Sequence, residues 1–576
     1  MRPDGAVELF DRFVRPDEHA NSDYFGLIKA LVQRRNDMTI TTTTVNLWDA
    51  EIAAAYNLVA DELLTNQGAP TGAVNFGTSG WRGVLGKDLF VKSVAQVTMA
   101  VVDLYKSLEE SDELGHDLGV ASLAEARRRG GVVGHDNRFG GELLAGVVRD
   151  ILTANGFVVH YAGESSTGAL SAAVLELGAA FSINLTPSHN PLEYGGFKFN
   201  AADAGPAAST ITSRITSNTR RIMAEGVPLP AHPDASLVRD CDALGCWKGL
   251  VRKGVTRHGF DYDGILDRLR SKQDLAMVVD CVHGASRVHI RRLLKDVPDA
   301  RLVVLRENDD PTFGGIAPEP STANLKAVVS LLRQRSEPLK LGVILDPDAD
   351  RIRFTDGNRE ITMNHFGAMA YHFMHQIKGR KGLVAKTVAT SNLANQLASA
   401  FGEEVFEPRV GFKEFKPVIN EALVCFEESD GITVLGHTPE KDAYIGLIIA
   451  VDMVLSLNKN LGDYLAEIEE AYGLFCPTKG GVEVSKQGAE LKEILSRLDS
   501  YQPGQTLLVN GKAVAIAKVI NIDGYKMVLE DGSWLMIRPS GTEPKVRFYV
   551  EARSVAGQAA LLETASTMLA EMGLLG

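Results

Sequence analysis

One repeated pattern constrains the fold of this chain more than any other feature: a short apolar run ends in a polar loop, and a helical segment follows. Such runs are centred on Val132 and cover Ala179–Leu185, Leu275–Val279 and Leu341–Leu345. Apolar runs of about four to eight residues are typical of strands buried on both faces. Strands of this kind in alternation with helices predict parallel α/β layers, in which ligands bind at the carboxyl ends of the strands.

The chain is too long for one hydrophobic core, since it has 576 residues. Two helices are predicted near the N-terminus, over Ser22–Val32 and over Leu47–Leu64 with Asn46 as N-cap. The C-terminal part is predicted to contain a hairpin that turns at Asp531-Gly532 and a last helix over Gln558–Met572. The predicted organisation is a helical extension, three α/β domains and a C-terminal α+β domain, over residues 1–70, 71–235, 236–358, 359–474 and 475–576.

Composition excludes several classes of protein. The formal net charge of −13 argues against a nucleic-acid partner, because a duplex binder needs a basic surface. No apolar stretch approaches the roughly 18 residues of a membrane span, and Met1–Phe10 lacks the apolar core of a signal peptide. The five cysteines have no CxxC spacing, which argues against zinc and disulfides. We therefore expect a cytoplasmic protein without nucleic-acid or membrane partners.

The segment Leu185–Phe199, LTPSHNPLEYGGFKF, carries the first candidate for chemistry. Its two prolines stop the preceding strand from continuing, so Ser188 is displayed on a stiff turn at the end of that strand. A hydroxyl held in this way is a candidate nucleophile, and His189 and Lys198 are candidates for handling its proton. The alternative is a polar turn with local hydrogen bonds and no chemistry.

The hexapeptide from Asp346 to Arg351, DPDADR, places three carboxylates at alternate positions directly after a buried strand. Alternate side chains of an extended loop share a face, so Asp346, Asp348 and Asp350 can converge on one hard cation such as Mg²⁺. An EF-hand is excluded, because its glycine and its last glutamate are missing. Two alternatives remain open: an aspartyl-phosphate enzyme with Asp346 as nucleophile, and a solvated acidic turn.

Three further loops offer groups that suit a phosphorylated sugar. Asn75–Gly83 is a glycine-rich turn that presents Arg82. Phe426–Gly431 presents adjacent carboxylates and a serine, which suit sugar hydroxyls. Taken alone, these two loops also fit ordinary surface turns. Arg538–Arg547 combines cationic, hydroxyl and main-chain donors of the kind that hold a phosphate, and no Walker A sequence occurs, which excludes a P-loop nucleotide site.

With the serine turn, the Asp triplet, the Glu-Glu-Ser loop and the Arg-Pro-Ser-Gly-Thr loop in this order, the chain resembles the α-D-phosphohexomutase superfamily from about Phe76 to the C-terminus. The resemblance implies an α/β fold: three related α/β domains with mixed sheets, and a C-terminal α+β domain, around a central cleft. The functional residues that it implies are Ser188, Arg82, His189 and Lys198 for catalysis; Ser188, Asp346, Asp348 and Asp350 for Mg²⁺; Glu427, Ser429, Arg351 and Lys441 for the sugar; and Arg538, Ser540, Gly541, Thr542 and Arg547 for a phosphate.

The resemblance also implies an enzyme that interconverts glucose 1-phosphate and glucose 6-phosphate through a phosphoserine, with Mg²⁺ as cofactor and glucose 1,6-bisphosphate as activator. Phe426 and the Lys-Asp-Ala at 441–443 depart from the family pattern, so phosphomannomutase and phosphopentomutase stay as alternatives. A phosphatase that uses Asp346 and a non-catalytic sugar-phosphate sensor are the other classes. The C-terminal domain is predicted to close as a lid about Leu474–Thr478. The N-terminal segment packs on the first domain or on a second subunit, which leaves a homodimer open.

Overall fold

A computed structural model of the chain describes residues 2–16, 18–37, 42–77, 80–110, 112–540 and 545–575. The chain forms two compact units: unit 1 contains residues 1–360 and 436–458, and unit 2 contains residues 361–435 and 459–576. Each unit holds two β-sheets with their own helices. The fold is α/β, which confirms the class predicted from the alternation of apolar strands and helices.

Three helices precede the first sheet and share its hydrophobic core. They are α1 (Ala6–Phe13), α2 (Tyr24–Arg35) and α3 (Thr42–Thr65). Both helices predicted in this region are confirmed. The prediction of Asn46 as an N-cap is wrong, since α3 begins four residues earlier, at Thr42. The apolar periodicity marks the part of a helix that is buried, and it does not fix the residue at which the helix begins.

The first sheet of unit 1 is mixed and has six strands. The strands and helices of this region are β1 (Trp81–Val84), α4 (Val91–Lys106), α5 (Asp112–Leu118), α6 (Leu123–Arg129), β2 (Gly131–His135), α7 (Gly141–Ala154), β3 (Val159–Glu164), α8 (Thr167–Leu177), β4 (Phe181–Leu185), β5 (Tyr194–Ala201), α9 (Ser209–Glu225) and β6 (Val238–Asp240). The strand order is β1-β5-β4-β2-β3-β6, and only β1 and β5 run antiparallel to their neighbours. Every residue of β2 and β4 is buried, as expected for central parallel strands.

The second sheet of unit 1 repeats this design with five strands. Its elements are α10 (Ala243–His258), α11 (Tyr262–Ser271), β7 (Leu275–Asp280), α12 (Ile290–Leu293), β8 (Leu302–Leu305), α13 (Thr322–Arg333), β9 (Leu339–Leu345), β10 (Ile352–Thr355) and β11 (Glu360–Ile361). The strand order is β11-β10-β9-β7-β8, with β7, β8 and β9 parallel. β9 and β10 pair antiparallel, so the predicted Asp loop is the short connection between two adjacent strands.

Unit 2 begins with a smaller sheet in the order β13-β12-β14-β15. The elements of this region are α14 (Met363–His372), β12 (Val384–Lys386), α15 (Leu393–Phe401), β13 (Val405–Phe406), β14 (Val424–Glu427) and β15 (Gly431–Val434). The chain continues with α16 (Ala443–Leu457), which belongs to unit 1, and α17 (Leu461–Tyr472), which belongs to unit 2. Among the described residues no single helix is long and apolar enough to cross a membrane, and α16 and α17 meet that test only as a bent pair.

The last sheet of unit 2 is antiparallel, in the order β16-β21-β20-β19-β18-β17. Its elements are β16 (Cys476–Glu483), α18 (Gly488–Leu495), β17 (Thr506–Val509), β18 (Lys512–Ile520), β19 (Tyr525–Leu529), β20 (Trp534–Pro539), β21 (Lys545–Ala552) and α19 (Val555–Glu571). The predicted hairpin is confirmed as β19 and β20, with Gly532 at φ +80° in its turn. This φ is in the left-handed region that glycine adopts without strain.

Candidate active site

Ser188 lies beyond the carboxyl end of β4, on a turn that Arg138 holds in place. The Arg138 guanidinium donates hydrogen bonds to three carbonyl oxygens of the turn, those of Ser188 (2.8 Å), Pro191 (2.6 Å) and Asn190. The Ser188 N–H donates to Thr186 Oγ1 at 2.9 Å. Ser188 has φ +58°, a left-handed conformation that costs a residue with a side chain about 1–2 kcal/mol. Strain of this kind persists only where surrounding contacts enforce it, as these do.

The Ser188 hydroxyl donates a hydrogen bond to Asp346 Oδ2 at 2.6 Å, across 158 positions of sequence. This contact joins the loop after β4 of the first sheet to the loop after β9 of the second. Burial, and then the charges of Asp348 and Asp350, raise the pKa of Asp346 well above its ordinary range. The hydroxyl thus bonds to an aspartate, and the prediction that His189 or Lys198 handles its proton stays a prediction. His189 Nδ1 lies 3.8 Å from Oε2 of a glutamate, Glu319.

The three aspartates converge as predicted, but through a different backbone shape. One ligand oxygen from each of Asp346, Asp348 and Asp350 lies within 4.8 Å of the others. The loop is a tight turn and not an extended strand: Ala349 has φ +48°, and Asp346 Oδ1 accepts hydrogen bonds from the N–H groups of Asp350 and Arg351, both at 3.0 Å. The first carboxylate therefore folds the loop that presents the other two.

All three aspartates are buried, and two lysines pair with them. Lys198 Nζ, on β5, lies 2.5 Å from Asp348 Oδ2 and 3.0 Å from Asp350 Oδ2, and Lys441 Nζ lies 3.5 Å from Asp350 Oδ2. Burial acts to lower the pKa of Lys198 and to raise the pKa of Asp350. The opposite charges outweigh burial, so the pKa of Lys198 is raised and that of Asp350 is lowered. Lys441, predicted to bind sugar, thus lies beside this cluster.

The chemistry of the donor set fits a hard dication. Asp348 Oδ1 and Asp350 Oδ1 are buried and accept no hydrogen bond from any described residue. Buried carboxylate oxygens without a donor are costly, and Mg²⁺ is coordinated by oxygens of this type. The other oxygen of Asp348 is fixed by Thr167, whose Oγ1 donates to it at 2.5 Å. Thr167 therefore orients a candidate ligand from outside the metal position.

Two arginines add positive charge next to the aspartates. Arg82 Nη1 donates to Asn190 Oδ1 at 2.9 Å, which attaches it to the serine turn. Burial, and then the charge of Arg351, lower the pKa of Arg82. Arg351 Nε lies 3.6 Å from Asp350 Oδ1. Guanidinium groups bind phosphate oxygens with charge-assisted hydrogen bonds, so both arginines suit a phosphorylated substrate.

Sequence reasoning missed two residues that organise this site. Arg138 stands in a polar loop to which the sequence assigns no role, and Thr167 carries no motif. Both follow parallel strands, β2 and β3, whose carboxyl ends lie on the same edge of the first sheet as Ser188. Ligand-binding residues gather at that edge in α/β folds, so a search of every strand end would have found both.

The residues predicted to bind the sugar occupy the turn between β14 and β15 in unit 2. Ser429 Oγ donates to Glu427 Oε1 at 2.8 Å. The neighbouring Glu428 is engaged differently, since its Oε2 accepts hydrogen bonds from Thr387 Oγ1 (2.9 Å) and Thr390 Oγ1 (3.3 Å). Glu427 and Ser429 thus form the paired polar group of this turn, and Glu428 anchors the turn to the loop after β12.

The residues predicted to bind a phosphate lie at the β20–β21 connection, also in unit 2. Arg538 and Arg547 are opposite each other in the antiparallel ladder. Arg538 Nε donates to Asp523 Oδ2 at 2.8 Å, which orients its guanidinium. The Ser540 N–H donates to the carbonyl of Lys545 at 2.8 Å. The remaining predicted residues, Gly541 and Thr542, lie outside the described residues.

Comparison with known families decides the identity. Models of the four domains of phosphoglucomutase/phosphomannomutase match the chain in order: alpha/beta/alpha domains I, II and III over residues 73–225, 262–359 and 362–472, and the C-terminal domain over residues 483–565. The chain belongs to the phosphoglucomutase/phosphomannomutase family. This confirms the resemblance to the α-D-phosphohexomutases and makes the chain a phosphohexomutase.

Individual phosphohexomutases are similar over most of their length. A probable phosphoglucosamine mutase of Methanopyrus kandleri is 28% identical over 484 residues, which cover 83% of this chain and 94% of that protein. A cytoplasmic phosphoglucomutase of Pisum sativum is 27% identical over 505 residues, which cover 75% of this chain and 85% of that protein. The crystal structure of a putative phosphomannomutase from Thermus thermophilus has a TM-score of 0.68 at 25% identity and covers 87% of this chain and 99% of its own. The three names differ in the sugar.

Proposed function

We propose that this phosphohexomutase interconverts glucose 1-phosphate and glucose 6-phosphate through phosphorylated Ser188 and a bisphosphorylated sugar. The observation that carries the proposal is the 2.6 Å hydrogen bond from the Ser188 hydroxyl to Asp346, within a cluster of three converging aspartates. A nucleophilic hydroxyl beside a position for a dication is the arrangement that phosphoryl transfer needs, because its catalysis is mostly positioning and electrostatics.

The transfer uses groups that the chain already holds in place. The bond between phosphorus and Ser188 Oγ breaks, a bond from phosphorus to a sugar hydroxyl oxygen forms, and the proton of that hydroxyl leaves. The sugar then turns and returns its other phosphoryl group to Ser188. His189 and Lys198 remain the candidates for moving the proton. Arg82 would neutralise charge on the phosphoryl oxygens.

The residues of the aspartate cluster fit Mg²⁺, with Asp346, Asp348, Asp350 and an oxygen on Ser188 as its ligands. When bound, the ion would stabilise negative charge on the transferring group. Lys198 and Thr167 orient the aspartates from outside. These roles predict that the ion would bind next to the phosphoryl group on Ser188.

Further residues are assigned to the sugar and to the phosphate that does not react. Glu427 and Ser429 offer an acceptor and a donor for sugar hydroxyls, and Arg351 and Lys441 flank Asp350 in a position to contact the sugar. The non-reacting phosphate is assigned to the β20–β21 connection, through Arg538, Ser540, Gly541, Thr542 and Arg547. Generic donors are required there, because either end of the sugar must fit.

The choice of glucose as the sugar rests on one loop, and an assay separates the alternatives. The Glu-Glu-Ser loop supports glucose, whereas relatives are named for glucosamine and mannose phosphates as well. Glucose, mannose, glucosamine and ribose 1-phosphates would be compared side by side, with glucose 1,6-bisphosphate as activator. We expect glucose 1-phosphate to give the highest kcat/KM. A preference of about a hundredfold for another sugar would replace glucose in the proposal.

The phosphoserine step is tested by intact mass after incubation with glucose 1,6-bisphosphate. Wild type is expected to gain one phosphoryl group, and Ser188→Ala none. An aspartyl-phosphate phosphatase would keep its label in Ser188→Ala, and a sensor would bind the sugar without any label. All five cysteines are free in the structure, which supports the further proposal of a reducing, cytoplasmic location.

A further inference from the structure

The N-terminal segment, residues 2–66, lies outside the four matched family domains, the first of which begins at residue 73. It nevertheless contacts both of the α/β domains that supply Ser188 and Asp346. The contacts run through one turn of the second α/β domain, at residues 310–315, and through the residue that follows Arg138.

The 310–315 turn covers the arginine that holds the serine turn. Phe313 is fully buried, and the Arg138 guanidinium carbon lies 5.0 Å from the centre of its ring. Phe313 has φ +53°, a strained conformation for an aromatic residue. Asp310 fixes this shape, since its Oδ1 accepts hydrogen bonds from the N–H (2.9 Å) and the hydroxyl (2.6 Å) of Thr312. The turn therefore supports Arg138 only while it keeps an unfavourable backbone shape.

The end of α2 holds that turn. Arg35 Nη2 donates to Thr312 Oγ1 at 3.3 Å and lies 3.7 Å from Asp310 Oδ2. Asn36 Nδ2 donates to the carbonyl of Gly314 at 2.9 Å. Arg35 thus contacts side chains of the turn, and Asn36 contacts its main chain.

α3 also contacts the 310–315 turn, and it contacts the residue that follows Arg138. The Tyr56 ring stacks on Phe139, the residue after Arg138, with ring centres 4.4 Å apart. The Tyr56 hydroxyl donates to the carbonyl of Pro311 at 3.3 Å. Lys29 on α2 adds a contact to the serine segment itself, since its Nζ lies 2.7 Å from Glu193 Oε1. The N-terminal segment therefore contacts the first domain at Phe139 and Glu193 and the second domain at the 310–315 turn.

From these contacts we infer that the N-terminal segment is a positioning element for phosphoryl transfer, which holds the Ser188 turn in register with Asp346. Ser188 and Asp346 come from different sheets, so their 2.6 Å contact depends on how the two α/β domains are aligned. A displacement of about 1 Å at reacting atoms can reduce a rate on the order of a hundredfold. The inference rests on the proposed phosphoserine function for its kinetic consequence, but not for the alignment itself.

The experiment compares the double variant Arg35→Ala/Asn36→Ala with two controls in the full-length protein. Arg34→Ala changes an exposed neighbour on the same helix. Asp49→Ala removes an acceptor of Arg35 that lies within the N-terminal segment itself (Nη1 to Oδ1, 3.3 Å). Transfer of the phosphoryl group from glucose 1,6-bisphosphate to Ser188 is measured in a single turnover. We expect the double variant to be about tenfold slower than both controls at equal bisphosphate occupancy.

Hydrogen exchange provides a readout that does not depend on the reaction. Amides in the peptide covering residues 186–194 should exchange faster in the double variant than in Arg34→Ala, while the interior strand β7 exchanges equally in both. Equal exchange over residues 186–194 overturns the inference. If wild type is labelled on Ser188, an unchanged transfer rate in the double variant overturns it too. A wild type that does not label overturns the proposed function instead, and exchange then decides the inference alone.

Tyr56→Phe covers the case in which the double variant does not fold cooperatively. It removes only the hydrogen bond to Pro311 and keeps the ring on Phe139. We expect transfer to Ser188 to slow about threefold. The loss of one hydrogen bond also lowers the melting temperature slightly. A fall in melting temperature with an unchanged rate would show a purely structural role and overturn the inference.

Discussion

Each unit contains a cluster in which buried lysines pair with carboxylates, and the two clusters differ in hydrogen bonding. In unit 1, Lys198 bonds to Asp348 and Asp350, and one oxygen of each aspartate still accepts no hydrogen bond from the described part of the chain. In unit 2, the Glu407 carboxylate bridges two lysines, with Oε2 3.1 Å from Lys386 Nζ and Oε1 3.3 Å from Lys526 Nζ.

The cluster of unit 2 is saturated. Lys386 Nζ also donates to the carbonyl of Thr390 (3.1 Å) and to Asn392 Oδ1 (3.0 Å). Lys526 Nζ donates to the carbonyl of Val388 (2.7 Å) and lies 4.1 Å from the centre of the Trp534 ring. None of the charged side chains of this cluster is among the described polar groups that lack a partner. Carboxylate oxygens that accept no hydrogen bond therefore distinguish the candidate ligand position of unit 1 from the saturated ion network of unit 2.

The largest effect expected from this comparison is on catalysis. Asp348→Asn removes the negative charge of Asp348 and replaces one of its two oxygens with an N–H donor. We therefore expect kcat/KM for glucose 1-phosphate to fall about a thousandfold. Steady-state assays at saturating Mg²⁺ measure it. Activity within tenfold of wild type would mean that the free oxygens of unit 1 have no catalytic use, and the comparison would fail.

Glu407→Gln in unit 2 is expected to lower the free energy of unfolding and to leave the catalytic rate nearly unchanged. The substitution leaves two buried ammonium groups with less compensation, which costs about 3–5 kcal/mol. Urea denaturation followed by circular dichroism measures the loss. The folded variant should keep kcat within about threefold of wild type. A large loss of kcat at unchanged stability would assign the saturated cluster a catalytic role.

Lys526→Met tests the same network through pH. Burial, and then the charge of Lys386, lower the pKa of Lys526 to about 7, whereas the unfolded chain keeps that proton up to a pKa near 10.4. The unfolded state binds more protons between these values, so the stability due to this group rises with pH across that window. From pH 7 to pH 9 wild type should gain about 2 kcal/mol relative to Lys526→Met. Parallel stability curves for the two proteins would contradict the lowered pKa.

The smallest effect expected is stabilisation by the metal. At ten times its Kd, Mg²⁺ should stabilise wild type by about 1.4 kcal/mol, and chelation should reverse this. Glu407→Gln should respond like wild type, and Asp348→Asn should not respond. Thermal unfolding with and without Mg²⁺ measures the difference. An equal response of Asp348→Asn would place the bound ion elsewhere.

Much of the site could be read from local sequence, because local sequence controls the backbone shape of each loop. Two prolines around Ser188 and the alternating carboxylates from Asp346 predicted a serine turn and a converging acidic loop, and both are present. The acceptor of the Ser188 hydroxyl could not be read in this way. The sequence named His189 and Lys198 as candidates for handling the proton but gave no sign of Asp346 as the acceptor, because the meeting of two strand ends does not depend on sequence distance.

The contacts of the N-terminal segment could not be predicted from local sequence either. Its helices were predicted from apolar periodicity, and the only role predicted for it was packing on the first domain or on a second subunit. Tyr56 contacts Phe139 and Asn36 contacts the 310–315 turn, and both partners lie far along the chain. A hydrogen-bond donor on a helix surface carries no local signal of what it will bind.

By itself the sequence determined the α/β class, the order of the four domains and the chemical type of each loop, since apolar periodicity, proline and glycine positions and charge act over a few residues. Only the tertiary structure decided which of these loops meet, which carboxylate oxygens stay without a donor, and which arginine holds the strained serine. Those outcomes depend on packing between strands and helices that are distant in the chain, and packing of that kind leaves no local pattern.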